Sequence, residues 1–204
     1  MSQKGFFHNS LRCTGCKACI MACNDLNDLS SGMRFRKVLE YGNGLWSQND
    51  DGTFAHEVFA YYLSFACNHC SQPVCVQVCP TGAMHKEEDG VVSVLVEFCI
   101  GCGYCQLSCP YKAPKVDREL GHSVKCNACK DFVRDDREPA CVSACPLRAL
   151  AYGSIEELRG LGELANVAPL PPVEDTLPNL VIKPHAEARP SKSADGIVLN
   201  DYEL

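Results

Sequence analysis

Alternation of apolar and polar positions in this chain comes in short stretches. From Val91 to Val96 the pattern is that of a half-buried strand, and Glu88-Asp89-Gly90 supplies the turn joining it to a first arm that begins near Gly82. Phe35 to Tyr41 and Phe54 to Phe65 are predicted as further strands, joined through Asn43-Gly44 and Asp51-Gly52 turns. Ala149 to Tyr152 is expected as another. Helical signal is brief: Ser154, with Glu157 three residues on, forms a capping box that should open a short helix to about Leu164. From Pro169 onward Pro169, Pro171, Pro172, Pro178, Pro184 and Pro190 interrupt any period, so residues 169–204 read as an extended tail. Its apolar run Leu180-Val181-Ile182 predicts docking on a partner subunit, because a free tail has no use for it. No stretch approaches the roughly 18 apolar residues that span a bilayer, so membrane contact is expected through a partner.

Composition changes the picture sharply. Sixteen of the 204 residues are Cys, a density met in disulfide scaffolds or metal proteins. A disulfide scaffold needs an oxidising compartment and hence an export signal. The opening MSQKGFFHNSLRC offers only Phe6 and Phe7 where a signal peptide needs an apolar stretch of about 7 to 15 residues, so no secretory signal is expected. The formal charge of −6 argues against a nucleic-acid partner.

The cysteines fall into four sets of four: Cys13, Cys16, Cys19 and Cys23; Cys67, Cys70, Cys75 and Cys79; Cys99, Cys102, Cys105 and Cys109; Cys126, Cys129, Cys141 and Cys145. The first and third have the bacterial ferredoxin spacing C-x2-C-x2-C-x3-C. Two residues between ligands let three thiolates wrap one cubane, while the fourth Cys, on a short helix, faces away and reaches the other cluster of a pair. That crossing rule predicts four [4Fe-4S] clusters: Cys67, Cys70, Cys75 with Cys109; Cys99, Cys102, Cys105 with Cys79; Cys13, Cys16, Cys19 with Cys145; and Cys126, Cys129, Cys141 with Cys23. All sixteen cysteines are used. Zinc also takes four thiolates on C-x2-C knuckles. Against it stand the short spacing to the third and fourth thiols and the prolines Pro80, Pro110 and Pro146 directly after closing cysteines. Cys23 departs from this, being followed by Asn24.

The predicted fold class is therefore α+β: nested bacterial ferredoxin-like units, each for two [4Fe-4S] clusters, with an inserted β-hairpin region and an extended C-terminal tail. The division is 1–34 with 110–168 as the outer unit, 35–66 as inserted strands, 67–109 as the inner unit and 169–204 as a partner-binding tail. Four clusters would bring the holoprotein to a net charge of roughly −14, so Arg12, Lys17, Lys112, Lys125, Lys130 and Arg148, all near ligands, are the expected offset. His69, between two ligand cysteines, reads as a solvent-exposed loop residue, with cluster tuning as the alternative. Trp46 is a partner contact or a core anchor, and Tyr61, Tyr62, Tyr104 and Tyr111 are expected to pack around the clusters. No Ser/His/Asp arrangement, phosphate-cradling loop or acid–base pair stands out, so any substrate is reduced elsewhere.

With GFFHNSLRCTGCKACIMAC, VFAYYLSFACNHC, PTGAMHKEEDG, CPLRAL, APLPP and PNLVIKP, the chain resembles the iron-sulfur subunits of dimethyl sulfoxide reductases, four-cluster members of the three-subunit molybdenum oxidoreductases. The resemblance covers essentially the whole length. It implies a non-catalytic relay from a menaquinol-oxidising membrane anchor to a molybdopterin catalytic subunit that reduces dimethyl sulfoxide and related S- and N-oxides. The order of sites it implies runs from that of Cys99 through those of Cys67 and Cys126 to that of Cys13. It further implies a peripheral, membrane-associated subunit, loaded with clusters in the cytoplasm and carried to the periplasmic face by its catalytic partner. The cysteine sets alone also fit relatives serving tetrathionate, polysulfide, nitrate or formate enzymes, or a free soluble polyferredoxin.

Overall fold

The strand Lys4–Asn9 is held between two segments from late in the sequence. This is a computed structural model, and it describes residues 3–201. Lys4–Asn9 pairs antiparallel with Leu150–Ser154 and parallel with Leu180–Lys183, and Glu163–Leu164 closes the far edge of this four-stranded sheet. Because the strand has neighbours on both sides and layers on both faces, Phe6, Phe7 and His8 are all buried, which explains the absence of alternation there.

The apolar run Leu180-Val181-Ile182 is thus buried within its own chain. This corrects the expectation that it docks on a partner subunit: the parallel ladder to Phe6–Asn9 already removes it from water. Further on, Ile197–Val198 adds an edge strand to Lys37–Asn43. Just beyond, the Asn200 side chain accepts the Glu40 N–H and donates to the Val38 carbonyl, both at 2.8 Å, standing in for one more rung.

The inserted region contains Lys37–Asn43 paired in antiparallel register with Phe59–Phe65, Tyr41 opposite Tyr61. The single strand expected over Phe54 to Phe65 is in fact two. Phe54–His56 pairs with Trp46–Gln48 as a separate hairpin tip, and strand pairing is interrupted at Glu57-Val58. Gly44 (φ +125°) passes so close that an added Cβ would lie 2.4 Å from the Glu57 carbonyl oxygen, which fixes the crossing point. Trp46 is 66% exposed and leans on His56, so it is no core anchor.

The helix after Ser154 is shorter than the capping box suggests. It spans Ile155–Arg159, Ser154 makes no side-chain cap, and Glu163–Leu164 becomes a strand instead. Sheet pairing overrides helical preference here, and Gly162 permits the approach: a Cβ there would meet the Ile182 carbonyl oxygen at 2.5 Å.

The ligand-bearing helices associate in a nested manner. Ala18–Leu26 packs on Ala140–Ser143, and Val74–Gln77 packs on Tyr104–Ser108. The hairpins Met84–Lys86 with Val92–Val94 and Lys115–Asp117 with His122–Val124 lie beside them. The main core combines Phe6, Ile20, Val38, Leu39, Tyr61, Leu63, Phe65, Leu150, Leu180 and Ile182 with the cysteines Cys19, Cys141 and Cys145.

Candidate metal centres

All four cysteine loops share one backbone device. The second residue after the first Cys of each set is left-handed: Gly15 (φ 69°), His69 (φ 44°), Gly101 (φ 67°) and Ala128 (φ 59°). Such a residue reverses the chain within one turn and exposes successive N–H groups on its concave side, a cradle for anionic sulfur. Lys17 and Gly103, also left-handed, then launch the helices Ala18–Leu26 and Tyr104–Ser108.

These loops gather the cysteines around distinct spaces. Cys13, Cys16, Cys19 and Cys145 line one cavity. Cys67, Cys70, Cys75 and Cys109 line a second, and Cys79, Cys99, Cys102 and Cys105 a third. Cys23 has Cys126, Cys141 and Cys129 as its thiol neighbours and completes a fourth set. In each, one thiol comes from a distant set: Cys23 from within the helix Ala18–Leu26, and Cys79, Cys109 and Cys145 from just beyond the ends of Val74–Gln77, Tyr104–Ser108 and Ala140–Ser143.

The surroundings fit a thiolate-held cluster. Backbone N–H groups point at sulfur: Ala149 to Cys145 at 3.2 Å, Ala128 to Cys126 at 3.4 Å, Ser123 to Cys99 at 3.3 Å and Met84 to Cys79 at 3.4 Å. Ser64 Oγ lies 3.3 Å from Cys19 Sγ, and Asn27 Nδ2 donates to Cys23 Sγ at 3.7 Å. All sixteen cysteines are free of disulfides, and no group of side chains among the described residues converges tightly enough to hold a single metal ion. Thiols that ring a space suit a cubane.

Burial pushes the bare thiols of Cys13 and Cys129 up to about 11 and those of Cys70 and Cys75 up to about 12. Iron must therefore displace protons on binding. Cys67 is the exception: burial pushes it up, but His69 and Lys125 outweigh that and hold it at about 5.

Among the expected basic offsets, Lys125 is buried, its Nζ bonded to the carbonyls of Val92 and Cys126. Lys17 lines the Cys13 cavity. Lys130 pairs with Glu87 at 3.1 Å, Arg148 holds the Ser143 carbonyl, and Arg12 and Lys112 face solvent. His69 is buried, not exposed, which corrects that expectation; Asn179 Nδ2 donates to its carbonyl at 2.7 Å. Tyr111 lines the Cys67 cavity and the Tyr62 ring lies against the Gly15 loop. Tyr61 instead donates to the Ala168 carbonyl at 2.7 Å, and Tyr104 is exposed.

Sequence reasoning missed Arg36, which sits thirteen residues beyond Cys23 yet is buried beside Cys141 and Cys19. Lys37 and Glu40 are charged as well, so the run Phe35 to Tyr41 gave no signal that singled it out. It also missed Thr176 of the tail, which helps to line the Cys67 cavity.

Models of the 4Fe-4S dicluster domain match residues 12–83 and 58–155. The B subunit of the anaerobic dimethyl sulfoxide reductase of Haemophilus influenzae is 50% identical over the full length of both proteins. Its counterpart in Escherichia coli K12 is 52% identical, covering 100% of this sequence and 99% of its own. This protein belongs to the family of anaerobic dimethyl sulfoxide reductase B subunits. The B subunit of the polysulfide reductase of Wolinella succinogenes is a more distant relative, 37% identical over 89% of this sequence and 94% of its own. As a member of the family, the protein is a non-catalytic electron-transfer subunit, built of tandem ferredoxin-like units and carrying four [4Fe-4S] clusters.

Proposed function

We propose that this protein relays electrons from a menaquinol-oxidising membrane anchor to a molybdopterin catalytic subunit that reduces dimethyl sulfoxide and related S- and N-oxides. One observation carries this reading. Of the sixteen cysteines two are exposed, Cys16 and Cys102, and they lie at opposite ends of the series of sites. The interior sites touch their neighbours: Cys19 and Cys141 flank Arg36, His69 lies against both Cys126 and Cys67, and Cys75 and Cys105 share one buried cluster with Met84 and Val92. A relay needs two accessible ends and a shielded middle.

The ligand sets are Cys13, Cys16, Cys19 and Cys145; Cys126, Cys129, Cys141 and Cys23; Cys67, Cys70, Cys75 and Cys109; and Cys99, Cys102, Cys105 and Cys79. A cluster, when bound, supplies one-electron storage and release. The protein positions the thiols, aims N–H donors at them and keeps water from the inner two sets. Residues 1–34 with 110–168 form the outer unit and 67–109 the inner unit, while residues 169–201 of the tail cover both, Thr176 lining the Cys67 cavity.

Exposed apolar side chains flank each exposed end. Val96, Phe98, Ile100, Tyr104 and Leu107 are exposed near Cys102, and Leu11, Met21 and Leu147 near Cys16. The first patch suits the membrane anchor and the second the catalytic subunit. No helix among the described residues is long and apolar enough to cross a membrane. The protein is a peripheral subunit of a membrane-associated complex, placed on the periplasmic face after export with its catalytic partner.

Anaerobic purification from membranes, followed by oxidation of reduced viologen with dimethyl sulfoxide, trimethylamine oxide, tetrathionate, polysulfide and nitrate, tests this. Activity with the first two, with a molybdenum subunit and a membrane anchor copurifying, is expected. Activity confined to the others would replace the terminal partner, and a partnerless four-cluster protein would make it a soluble carrier.

A further inference from the structure

Arg36 is 1% exposed, immediately ahead of the strand Lys37–Asn43. Its Nη1 donates to Ser64 Oγ at 3.1 Å, and that oxygen lies 3.3 Å from Cys19 Sγ. The guanidinium carbon stands 5.0 Å from the centre of the Phe6 ring. Nε and Nη2 are buried without a hydrogen-bond partner among the described residues. The sulfurs that would act on it most strongly once ionised are those of Cys141, Cys19, Cys126 and Cys23, in that order. Cys19 belongs to the Cys13 site and the other three to the Cys126 site.

A guanidinium does not escape its charge by losing a proton, and burying one beside neutral thiols is prohibitively unfavourable. Its place makes sense when both neighbouring sites hold net negative charge, as four thiolates around a cluster do. The ring of Phe6 and the hydroxyl of Ser64 fix the plane of the fork, leaving Nε and Nη2 unpaired in a site where Cys141 and Cys19 are the nearest ionisable neighbours.

We propose that Arg36 is a shared positioning residue for the Cys13 and Cys126 sites, donating to sulfur on both sides and raising both reduction potentials together. The proposal rests on the ligand sets given above. Reduction adds negative charge to a site, and a fixed cation in a low-dielectric gap favours that added charge in each. A single side chain would thus keep two successive steps of the relay close in energy.

The test is a potentiometric titration of the whole complex in membranes, followed by electron paramagnetic resonance, for wild type, Arg36→Gln and Arg36→Lys. Cys19→Ser and Cys126→Ser identify which signals belong to the two sites. With Arg36→Gln, both of those potentials should move negative while the other two stay; Arg36→Lys, which keeps the charge and loses the fork, should recover most of the shift. Four unchanged potentials, or four equal shifts, would overturn the proposal, as would movement of the Cys67 and Cys99 signals instead. If Arg36→Gln does not assemble, Arg36→Lys decides alone: a small negative shift confined to the two sites supports the proposal, and no shift overturns it. A wild-type complex without four reducible clusters would instead defeat the underlying ligand assignment.

Discussion

His69 Nδ1 accepts the backbone N–H of Val92 at 3.0 Å, which places the ring proton on Nε2, the atom that faces Cys126 Sγ at 4.0 Å. Cys67 also interacts with His69, so this one residue adjoins ligands of two different sites. A hydrogen bond to a ligand sulfur stabilises the more negative, reduced cluster. His69→Leu should therefore lower the potentials of the Cys126 and Cys67 clusters and leave those of the Cys13 and Cys99 clusters in place. It also strands the Val92 N–H, at a cost of about 1–3 kcal/mol. Potentiometric titration separates the two effects, and unchanged potentials with lowered stability would make His69 a purely structural anchor.

Gly15 gives a sharper test of a single site. At φ +69° a Cβ would strain the backbone by about 1–2 kcal/mol and would lie 2.4 Å from the Tyr62 ring. Gly15→Ala should cost the complex its Cys13 cluster alone, with iron and acid-labile sulfide falling by one cluster's share and turnover lost. Gly82 has the same φ with nothing within 4 Å of its Cβ position, so Gly82→Ala should retain full iron. Equal iron in the two variants would show that the contact with Tyr62 yields at little cost.

Spacing of thiols is local information, and the loops at Gly15 and Gly101 could be anticipated because ferredoxin spacing demands a left-handed reversal that glycine supplies. The hairpin around Glu88-Asp89-Gly90 was legible for the same reason. What escaped the sequence is long-range. Leu180–Lys183 pairs with a strand at the opposite end of the chain, and nothing local distinguishes docking at home from docking on a partner. His69 is buried because Asn179, Val92 and Phe6 surround it, and its own neighbours in sequence say nothing of them. Arg36 reads as an ordinary basic residue until Phe6 and Ser64 are brought beside it.

Asn179 ties the tail to the centre of the relay. Its Nδ2 donates to the His69 carbonyl at 2.7 Å, its backbone N–H to the Asn68 carbonyl at 3.0 Å, and its own carbonyl accepts from Phe6. Asn179→Ala leaves a buried carbonyl unsatisfied and should cost about 1–3 kcal/mol. Limited proteolysis of the intact complex should then show faster cutting in residues 169–204. Val181→Asp is the severe counterpart. It puts a carboxylate at a fully buried strand position, a penalty of several kcal/mol against a total stability of about 5–15 kcal/mol. The protein should fail to accumulate.

Cys102 is the exposed thiol of its set, so its removal disturbs packing little. With the other three thiols still in place, Cys102→Ser should yield a [3Fe-4S] centre in place of one cubane, visible by electron paramagnetic resonance of the oxidised complex. An unchanged cubane signal would mean that serine or another group takes the fourth iron.

Leu107 is 82% exposed on the helix that carries Cys105, two residues before Cys109. A surface substitution of this kind changes stability by only about 0.5 kcal/mol or less, so Leu107→Asp should leave the fold and the cluster content intact. If the apolar patch around Cys102 receives the membrane anchor, a charge within it loses burial and places an unpaired carboxylate in the interface. Quinol-dependent reduction of the S-oxide should then fall about tenfold or more, the equivalent of some 1.4 kcal/mol in docking. Reduction driven by reduced viologen should persist, because the small dye donates without the anchor. Equal loss of both activities would point to damage inside the relay, and no loss of either would move the anchor's footprint away from this helix.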